Sequence, residues 1–154
     1  MSIQLGSDVP YCIGGNTALV LGRGEQVIVQ DKLPQCWFVL CKPEESYSTA
    51  AMYRRIDDEQ PQCAVDTEGM LQALKEQDLH RVAALVSNVF EAVLPVGSAV
   101  VPIRQMLRRL GADAACMSGS GSAVFGLFAA EEAAIAACAA LKEEYPHTWL
   151  AKSV

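Results

Sequence analysis

The sequence has little basic charge and no long apolar run. Its 154 residues include 12 Lys and Arg against 18 Asp and Glu, which gives a formal net charge of −6 at pH 7. A nucleic-acid backbone requires a basic protein surface, so this balance argues against nucleic acid as a partner. No apolar stretch reaches the roughly 18 residues of a membrane helix, and no basic region followed by an apolar one opens the chain. We therefore expect a cytoplasmic protein with no membrane partner.

The six cysteines form no metal-binding pattern. None belongs to a Cys-x-x-Cys pair, and neither His80 nor His147 lies near a cysteine cluster. Because zinc sites require such clustered ligands, we expect no metal ligands in this chain. Without a secretion signal, and with most cysteines in apolar runs, we expect free thiols that pack as small hydrophobic residues. Their positions are Cys12, Cys36, Cys41, Cys63, Cys116 and Cys138.

The apolar content, 51% of the residues, is sufficient for a folded core in a chain of this length. Alternating and periodic apolar patterns predict strands and helices in the order β-β-β-α-α-α-β-α-β. This mixture predicts an α+β fold, with a mostly antiparallel sheet and helices on one face. The predicted strands are 17–21, 26–29, 35–41, 123–128 and 148–152, and the predicted helices are 50–56, about 66–89, 98–110 and 131–144.

Two segments rich in glycine and serine are the candidates for a functional site. One contains Gly119-Ser-Gly-Ser122 and the other contains Gly6-Ser-Asp8. The first lacks the lysine of a P-loop, and Val124 stands where a dinucleotide fingerprint has its third glycine, after an expected helix rather than a strand. From the residues alone, two interpretations stay open: a tight bend before a buried strand, and a site where exposed amide N–H groups bind an anion.

The polar residues outside Gly119-Ser-Gly-Ser122 also have two interpretations each. Asp8 either hydrogen-bonds its own backbone in a turn or accepts a proton from a substrate hydroxyl, as phosphoryl transfer requires. Ser48 and Thr49 precede a predicted helix, and their hydroxyl groups either cap its first turn, as is common, or contact a ligand. Arg23, at the tip of the predicted hairpin, either contacts phosphate or is simply solvated.

Six segments, in order along nearly the whole chain, carry a resemblance to one family. Together they resemble the 4-diphosphocytidyl-2-C-methylerythritol kinases of the GHMP kinase superfamily. The segments are Gly6-Ser-Asp-Val-Pro10, Gly14-Gly-Asn-Thr-Ala-Leu19, Gly22-Arg-Gly-Glu25, Ser48-Thr-Ala-Ala-Met-Tyr53, Asn88-Val-Phe-Glu91, and Gly111-Ala followed by Met117-Ser-Gly-Ser-Gly121 and Val124-Phe-Gly-Leu-Phe128.

The resemblance implies a reaction and roles for particular residues. The family uses ATP and Mg²⁺ to phosphorylate the 2-hydroxyl of CDP-methylerythritol, in the non-mevalonate route to isoprenoid precursors. The resemblance implies that Asp8 is the catalytic carboxylate and that Thr49 and Ser48 contact the substrate. It also implies that a glycine-containing loop lies beside the substrate and the phosphate groups. For the C-terminal domain, it implies a ferredoxin-like α+β fold. The loop residues are Ser118, Gly119, Ser120 and Gly121.

The sequence also departs from the family pattern. It contains no lysine segment that pairs with the aspartate, no Asp-Gly-Tyr-His-type stretch and no Pro-x-x-x-Gly-Leu-Gly-Gly-Gly-Ser-Ser phosphate loop. We therefore expect residues 1–29 to be a remnant of the N-terminal domain and residues 30–154 to be the C-terminal domain. The expectation is a truncated or split kinase that is inactive alone, binds ATP and Mg²⁺ poorly, and pairs with a missing N-terminal half or with itself. The alternative is a non-catalytic module that binds ligand or self-associates.

Overall fold

The computed structural model describes residues 9–154. Within that range, a run of three strands is followed by a run of helices and then by two strands, a helix and a last strand, as in an α+β protein. None of the described helices has the length and apolar character needed to cross a bilayer. The strands are β1 (Ala18–Leu21), β2 (Gln26–Val29), β3 (Trp37–Cys41), β4 (Ala114–Met117), β5 (Val124–Phe128) and β6 (Thr148–Lys152). The helices are α1 (Val9–Gly14), α2 (Thr49–Glu59), α3 (Thr67–Lys75), α4 (Leu79–Leu85), α5 (Val100–Arg109) and α6 (Glu131–Glu144), with a short 3₁₀ helix at Val89–Val93.

Strands β1 and β2 form the predicted hairpin, a two-stranded sheet of its own. They pair antiparallel, with Ala18 opposite Val29. The turn needs glycine because Gly22 and Gly24 have φ values of +68° and +103°, which other residues rarely adopt. The Glu25 carboxylate accepts a hydrogen bond from the Arg23 backbone N–H at 2.6 Å, which closes the turn.

The other four strands form one antiparallel sheet in the order β4-β5-β3-β6. Strand β3 is an inner strand and β6 an edge strand. Along β3, the side chains of Trp37, Val39 and Cys41 point into the main core. Val39 and Cys41 are fully buried there, and Phe38 packs against a second cluster. The continuous apolar run of β3 therefore suits a strand that is covered on both faces.

Helices α5 and α6 cover the core face of this sheet. Ile103 and Leu107 of α5, and Leu141 of α6, are fully buried against the strands. Gly126 in β5 allows α5 to approach closely, since a Cβ at that position would lie 2.9 Å from Leu107 Cδ2. The antiparallel sheet with its helical layer confirms the predicted α+β fold. On the opposite face, Ala83 of α4 packs in a smaller buried cluster at one end of the sheet.

The single long helix predicted for residues 66–89 is wrong. The structure has two helices there, α3 and α4, followed by the 3₁₀ helix. The chain breaks at Gln77, which has φ +55°, and Asp78 then caps α4 by accepting a hydrogen bond from the Arg81 N–H at 3.0 Å. An aspartate that bonds the backbone in this way favours a helix start over a helix interior.

Strand β4 is not predicted by its sequence, Ala-Ala-Cys-Met, because this has no alternation of apolar and polar residues. All four residues are buried, so both faces of the strand are covered and the period-of-two signal is absent. The glycine segment therefore follows a strand, where the sequence predicts a helix end. It connects two adjacent antiparallel strands, β4 and β5, and no helix follows it as a dinucleotide fingerprint requires.

Candidate active site

The loop between β4 and β5 meets the start of helix α2. We call residues 118–122 the glycine loop. Thr49 Oγ1 lies 2.8 Å from Ser120 Oγ, a hydrogen bond between residues 71 positions apart in the chain. Ser48, Thr49, Ser118 and Gly119 are exposed, while Ser120 and Gly121 are half-buried. The fold therefore gathers the two groups of hydroxyl-bearing residues that the sequence placed in separate segments.

The glycine loop owes its shape to its two glycines. Gly119 and Gly121 have φ values of +55° and +92°, and the Gly121 N–H donates to Ser118 O at 3.0 Å. A Cβ at Gly121 would lie 2.6 Å from Met117 Sδ and 2.7 Å from Tyr47 Cδ2, whereas one at Gly119 would meet open space. Gly121 is therefore required by packing as well as by backbone conformation, and Gly119 by conformation alone.

The exposed part of the glycine loop offers donors to an anion. Among the described residues, the N–H groups of Gly119 and Ser120 have no acceptor. They lie beside Thr49, the first residue of α2, where the positive end of the helix dipole is found. Free amide N–H groups, a helix N-terminus and several hydroxyl groups together suit a phosphate-bearing ligand.

Asn88 and Glu91 hold the start of the glycine loop. The Asn88 Nδ2 group donates to Met117 O and Gly119 O, each at 2.8 Å, and its Oδ1 accepts from Phe90 N–H at 3.0 Å. Glu91 Oε1 accepts from Met117 N–H at 2.6 Å, and Glu91 Oε2 pairs with Arg104 at 2.8 Å. Sequence reasoning gave these residues no role, although Asn88-Val-Phe-Glu91 was one of the resembling segments and was the signal available.

Lys42 binds the other end of the loop. Its ammonium group donates to Ser122 Oγ at 3.1 Å and to the carbonyls of Pro43 and Glu45 at 2.8 and 2.7 Å. The buried Ser122 hydroxyl also donates to the Glu45 carbonyl. This lysine ends an apolar strand in an ordinary Lys-Pro pair, and no sequence pattern singled it out.

The Glu45 carboxylate fixes the segment that leads into α2. Its Oε1 accepts from Ala99 N–H at 2.9 Å and lies 2.6 Å from the Tyr47 hydroxyl, which is also 2.6 Å from Ser98 Oγ. Burial raises the pKa of Tyr47, and the hydrogen bond to the neighbouring carboxylate raises it further. The tyrosine is therefore a neutral hydrogen-bond donor near neutral pH, with a structural role in this network.

Cys116, in β4 under the glycine loop, is not a nucleophile candidate. Burial, and then the nearby Glu91 carboxylate, raises the pKa of its thiol to about 12. The thiol is fully protonated near neutral pH, and only the thiolate is reactive. Burial also raises the pKa of Cys36 and Cys41.

The other candidate residues from the sequence are Asp8, Ser48 and the two histidines. Asp8 lies outside the described residues. Ser48 occupies the N-cap position of α2, but its side chain makes no capping hydrogen bond, so its hydroxyl is free of the helix end. His80 lies on α4, and His147 precedes β6, where its carbonyl accepts a hydrogen bond from the Lys42 N–H at 2.9 Å. In residues 9–154, no cluster of three or more His, Cys, Asp or Glu side chains has a metal-binding arrangement.

Comparison with known proteins identifies relatives over nearly the whole chain. The chain is 41% identical over 128 residues to the 4-diphosphocytidyl-2-C-methyl-D-erythritol kinase of Bacillus velezensis, covering 82% of this chain and 44% of that relative. It is 41% identical over 154 residues to the enzyme of the same name from Moorella thermoacetica, covering 97% of this chain and 54% of that relative. The chain thus spans about half the length of the curated relatives it matches.

A solved structure and a family model agree with these relatives. A crystal structure of 4-(cytidine 5'-diphospho)-2C-methyl-D-erythritol kinase superposes with a TM-score of 0.79 at 29% identity, covering 97% of this chain and 54% of that one. The family model described as "GHMP kinases C terminal" matches residues 70–147, which is half of the chain. The chain therefore belongs to the GHMP kinases and carries the C-terminal domain of that family.

Proposed function

We propose that this chain forms the acceptor side of a 4-diphosphocytidyl-2-C-methyl-D-erythritol kinase, which transfers a phosphoryl group from ATP to the 2-hydroxyl of CDP-methylerythritol. The observation that carries the proposal is the contact between Thr49 and Ser120, at 2.8 Å. It brings the start of α2 and the glycine loop into one surface of hydroxyl and amide groups. The names of the relatives, at 41% identity over most of this chain, support the choice of substrate.

Each residue of this surface has a role in the proposal. The hydroxyls of Thr49 and Ser48 bind the substrate next to its reacting hydroxyl. Residues Ser118 to Gly121 of the glycine loop lie on the phosphate side, where the free N–H groups of the loop stabilise negative charge on the transferring group. Asp8 accepts or orients the proton of the attacking hydroxyl, as phosphoryl transfer requires.

ATP and Mg²⁺ are the donor and metal ion of the proposed reaction. Among residues 9–154, no three His, Cys, Asp or Glu side chains are grouped to hold a metal ion, and we derive no step through Mg²⁺. The proposal assigns the binding of both to the part of the relatives' length that this chain does not span. A cytoplasmic location belongs to the same proposal, because ATP is supplied there.

We further propose that residues 1–29 belong to the N-terminal domain of the kinase and residues 30–154 to its C-terminal domain. The separation of the β1–β2 hairpin from the four-stranded sheet supports this division. A cleft of about 700 Å³ lies between the hairpin, α3 and α4. Exposed apolar side chains on the hairpin, with Val29 at 64% exposure, offer a surface for the remaining half to cover. They are Val20, Leu21, Ile28 and Val29.

Reconstitution tests this proposal directly. The purified 154-residue chain is assayed for ADP release with ATP, Mg²⁺ and CDP-methylerythritol, alone and mixed with the N-terminal half of the Moorella thermoacetica relative. We expect no turnover from the chain alone and turnover from the mixture. In the mixture, Thr49→Val should lower kcat/KM by at least about tenfold through loss of a substrate hydrogen bond. Thr67→Val, at the exposed start of α3, is the matched control and should have no effect.

Three outcomes would count against the proposal. Robust phosphate transfer by the lone chain would show that the second half is not needed. Binding of CDP-methylerythritol by calorimetry without turnover in any mixture would favour a ligand-binding module. Self-association with no response to ligand would favour a structural module, an alternative that the exposed apolar hairpin surface supports.

A further inference from the structure

The glycine loop is held at both ends by side chains that lie outside it. Asn88 contacts its first half, through Met117 O and Gly119 O. Lys42 contacts its last residue, Ser122. Between these two anchors lies Ser120, the residue that meets Thr49.

Asn88 uses its whole amide group to hold backbone. Its two Nδ2 protons have two acceptors at 2.8 Å, and its Oδ1 accepts from Phe90 N–H. An asparagine amide has two donor protons, so none is left for a ligand. Asn88 therefore has no donor to offer an anionic ligand, and we expect it to act through the position of Gly119 and its neighbours.

Lys42 holds both sides of the contact between the loop and α2. Its ammonium group binds Ser122 Oγ on the loop side. On the other side it binds the carbonyls of Pro43 and Glu45, at 2.8 and 2.7 Å, in the segment that runs into Thr49. Ser46 Oγ is a fourth, longer contact at 3.3 Å, so the three protons of the ammonium group are all occupied by acceptors in the protein.

We propose that Asn88 and Lys42 are positioning residues that keep the glycine loop in its ligand-binding conformation before any ligand arrives. Hydrogen bonds to a charged group contribute more than neutral ones, and a donor removed from buried acceptors leaves them unsatisfied. Without either anchor, the loop loses its fixed distance to Thr49. The inference rests on the proposed function for its ligand, but the conformation of the loop can be measured without any ligand.

Hydrogen exchange measured by NMR on the 154-residue chain tests the two anchors. Asn88→Asp keeps the shape of the side chain and its acceptor for Phe90, and it replaces the two donors by a negatively charged oxygen. Lys42→Met keeps the length of the side chain and removes the charge. In each variant, the amide protection of Ser118 and Gly121 should fall by at least about tenfold beyond the change at the core strand β3.

Matched controls separate this effect from general destabilisation. Gln72→Glu makes the same amide-to-carboxylate change on an exposed face of α3, where the Gln72 amide binds Glu76. Arg55→Met removes a cation that pairs with Glu59 along α2. Neither control should change exchange in the glycine loop. The double variant of Asn88 and Lys42 should lose less protection than the product of the single losses, because both act on one loop.

A purely structural role predicts a different pattern. It would lower protection of the loop and of β3 by the same factor, and that result, or wild-type exchange in both variants, would overturn the proposal. Calorimetric titration with CDP-methylerythritol forms a second arm, in which both variants should weaken binding by at least about tenfold. If neither the wild-type chain nor its mixture with the N-terminal half binds CDP-methylerythritol, the proposed function fails, whereas the exchange experiment still decides the role of the two anchors.

Discussion

Replacing Gly121 by alanine should destabilise the protein severely, because two costs add at that residue. Its φ of +92° is unfavourable for any side chain, at about 1–3 kcal/mol. The new Cβ would lie 2.6 Å from Met117 Sδ and 2.7 Å from Tyr47 Cδ2, and such overpacking costs about 1–3 kcal/mol more. We expect a loss of about 2–6 kcal/mol in the free energy of unfolding.

Gly119→Ala is the matched control, because the same loop has open space there. Its φ is +55° and the new methyl group would have no neighbouring atom within 4 Å, so only the backbone cost of about 1–2 kcal/mol applies. Urea unfolding followed by the fluorescence of Trp37, which is buried in the sheet, measures both. With a slope of about 2 kcal/mol per molar, a loss of about 3 kcal/mol lowers the midpoint by about 1.5 M. Equal midpoints for the two variants would refute the steric argument.

Three further predictions follow from particular contacts. Glu91→Ala should cost about 2–4 kcal/mol in urea unfolding, because it leaves Arg104 and a backbone N–H at the loop without their partner; a loss below about 1 kcal/mol would contradict this. Gly126→Ala should cost about 1–3 kcal/mol by the same assay, since its Cβ would lie 2.9 Å from Leu107 Cδ2, and no loss would mean that α5 shifts freely. Because the pKa of Cys116 is raised to about 12, its contribution to stability is present below its unfolded pKa of about 9 and is lost as pH rises from 9 towards 12. Above about pH 9, Cys116→Ala should therefore lose stability less steeply than wild type, by up to about 1.4 kcal/mol per pH unit, and parallel pH profiles would count against the raised pKa.

Much of the fold could be predicted because its signals are local. The hairpin follows from two β-branched runs around Gly22 and Gly24, and strand β3 from a continuous apolar run. Helix α6 begins at acidic residues and ends before Pro146, as a helix dipole and a proline break require. In each case, neighbouring residues carry the information.

The failures occurred where local signals were ambiguous. Apolar spacing continues across Gln77 and predicts one helix. In the structure, the left-handed backbone of Gln77 and the Asp78 cap separate two helices. Strand β4 consists of small residues buried on both faces, which resemble a helix end as much as a strand. Its assignment depends on pairing with β5, which places Ala115 opposite Gly126.

The residues of the candidate site were also selected only in part from the sequence. Resemblance to a kinase family was enough to select Thr49 and the glycine loop, because motifs carry residue identity. It did not select Lys42 or Glu45, since their roles come from acceptors contributed by distant parts of the chain, such as Ser122. Hydrogen-bond partners of this kind are set by how elements pack and leave no pattern in the neighbouring residues.

By itself, the sequence determined the family, the α+β class and the need for glycine at the bends, because these depend on residue identity and short-range backbone preference. Only the tertiary structure decided that Ser120 meets Thr49, that Asn88 and Lys42 hold the loop between them, and that Gly121 is fixed by packing as well as by φ. Those facts depend on antiparallel pairing of β4 with β5 and of β5 with β3, which brings residues 71 positions apart into contact. Distances across a sheet are a property of the folded chain, and no short-range rule encodes them.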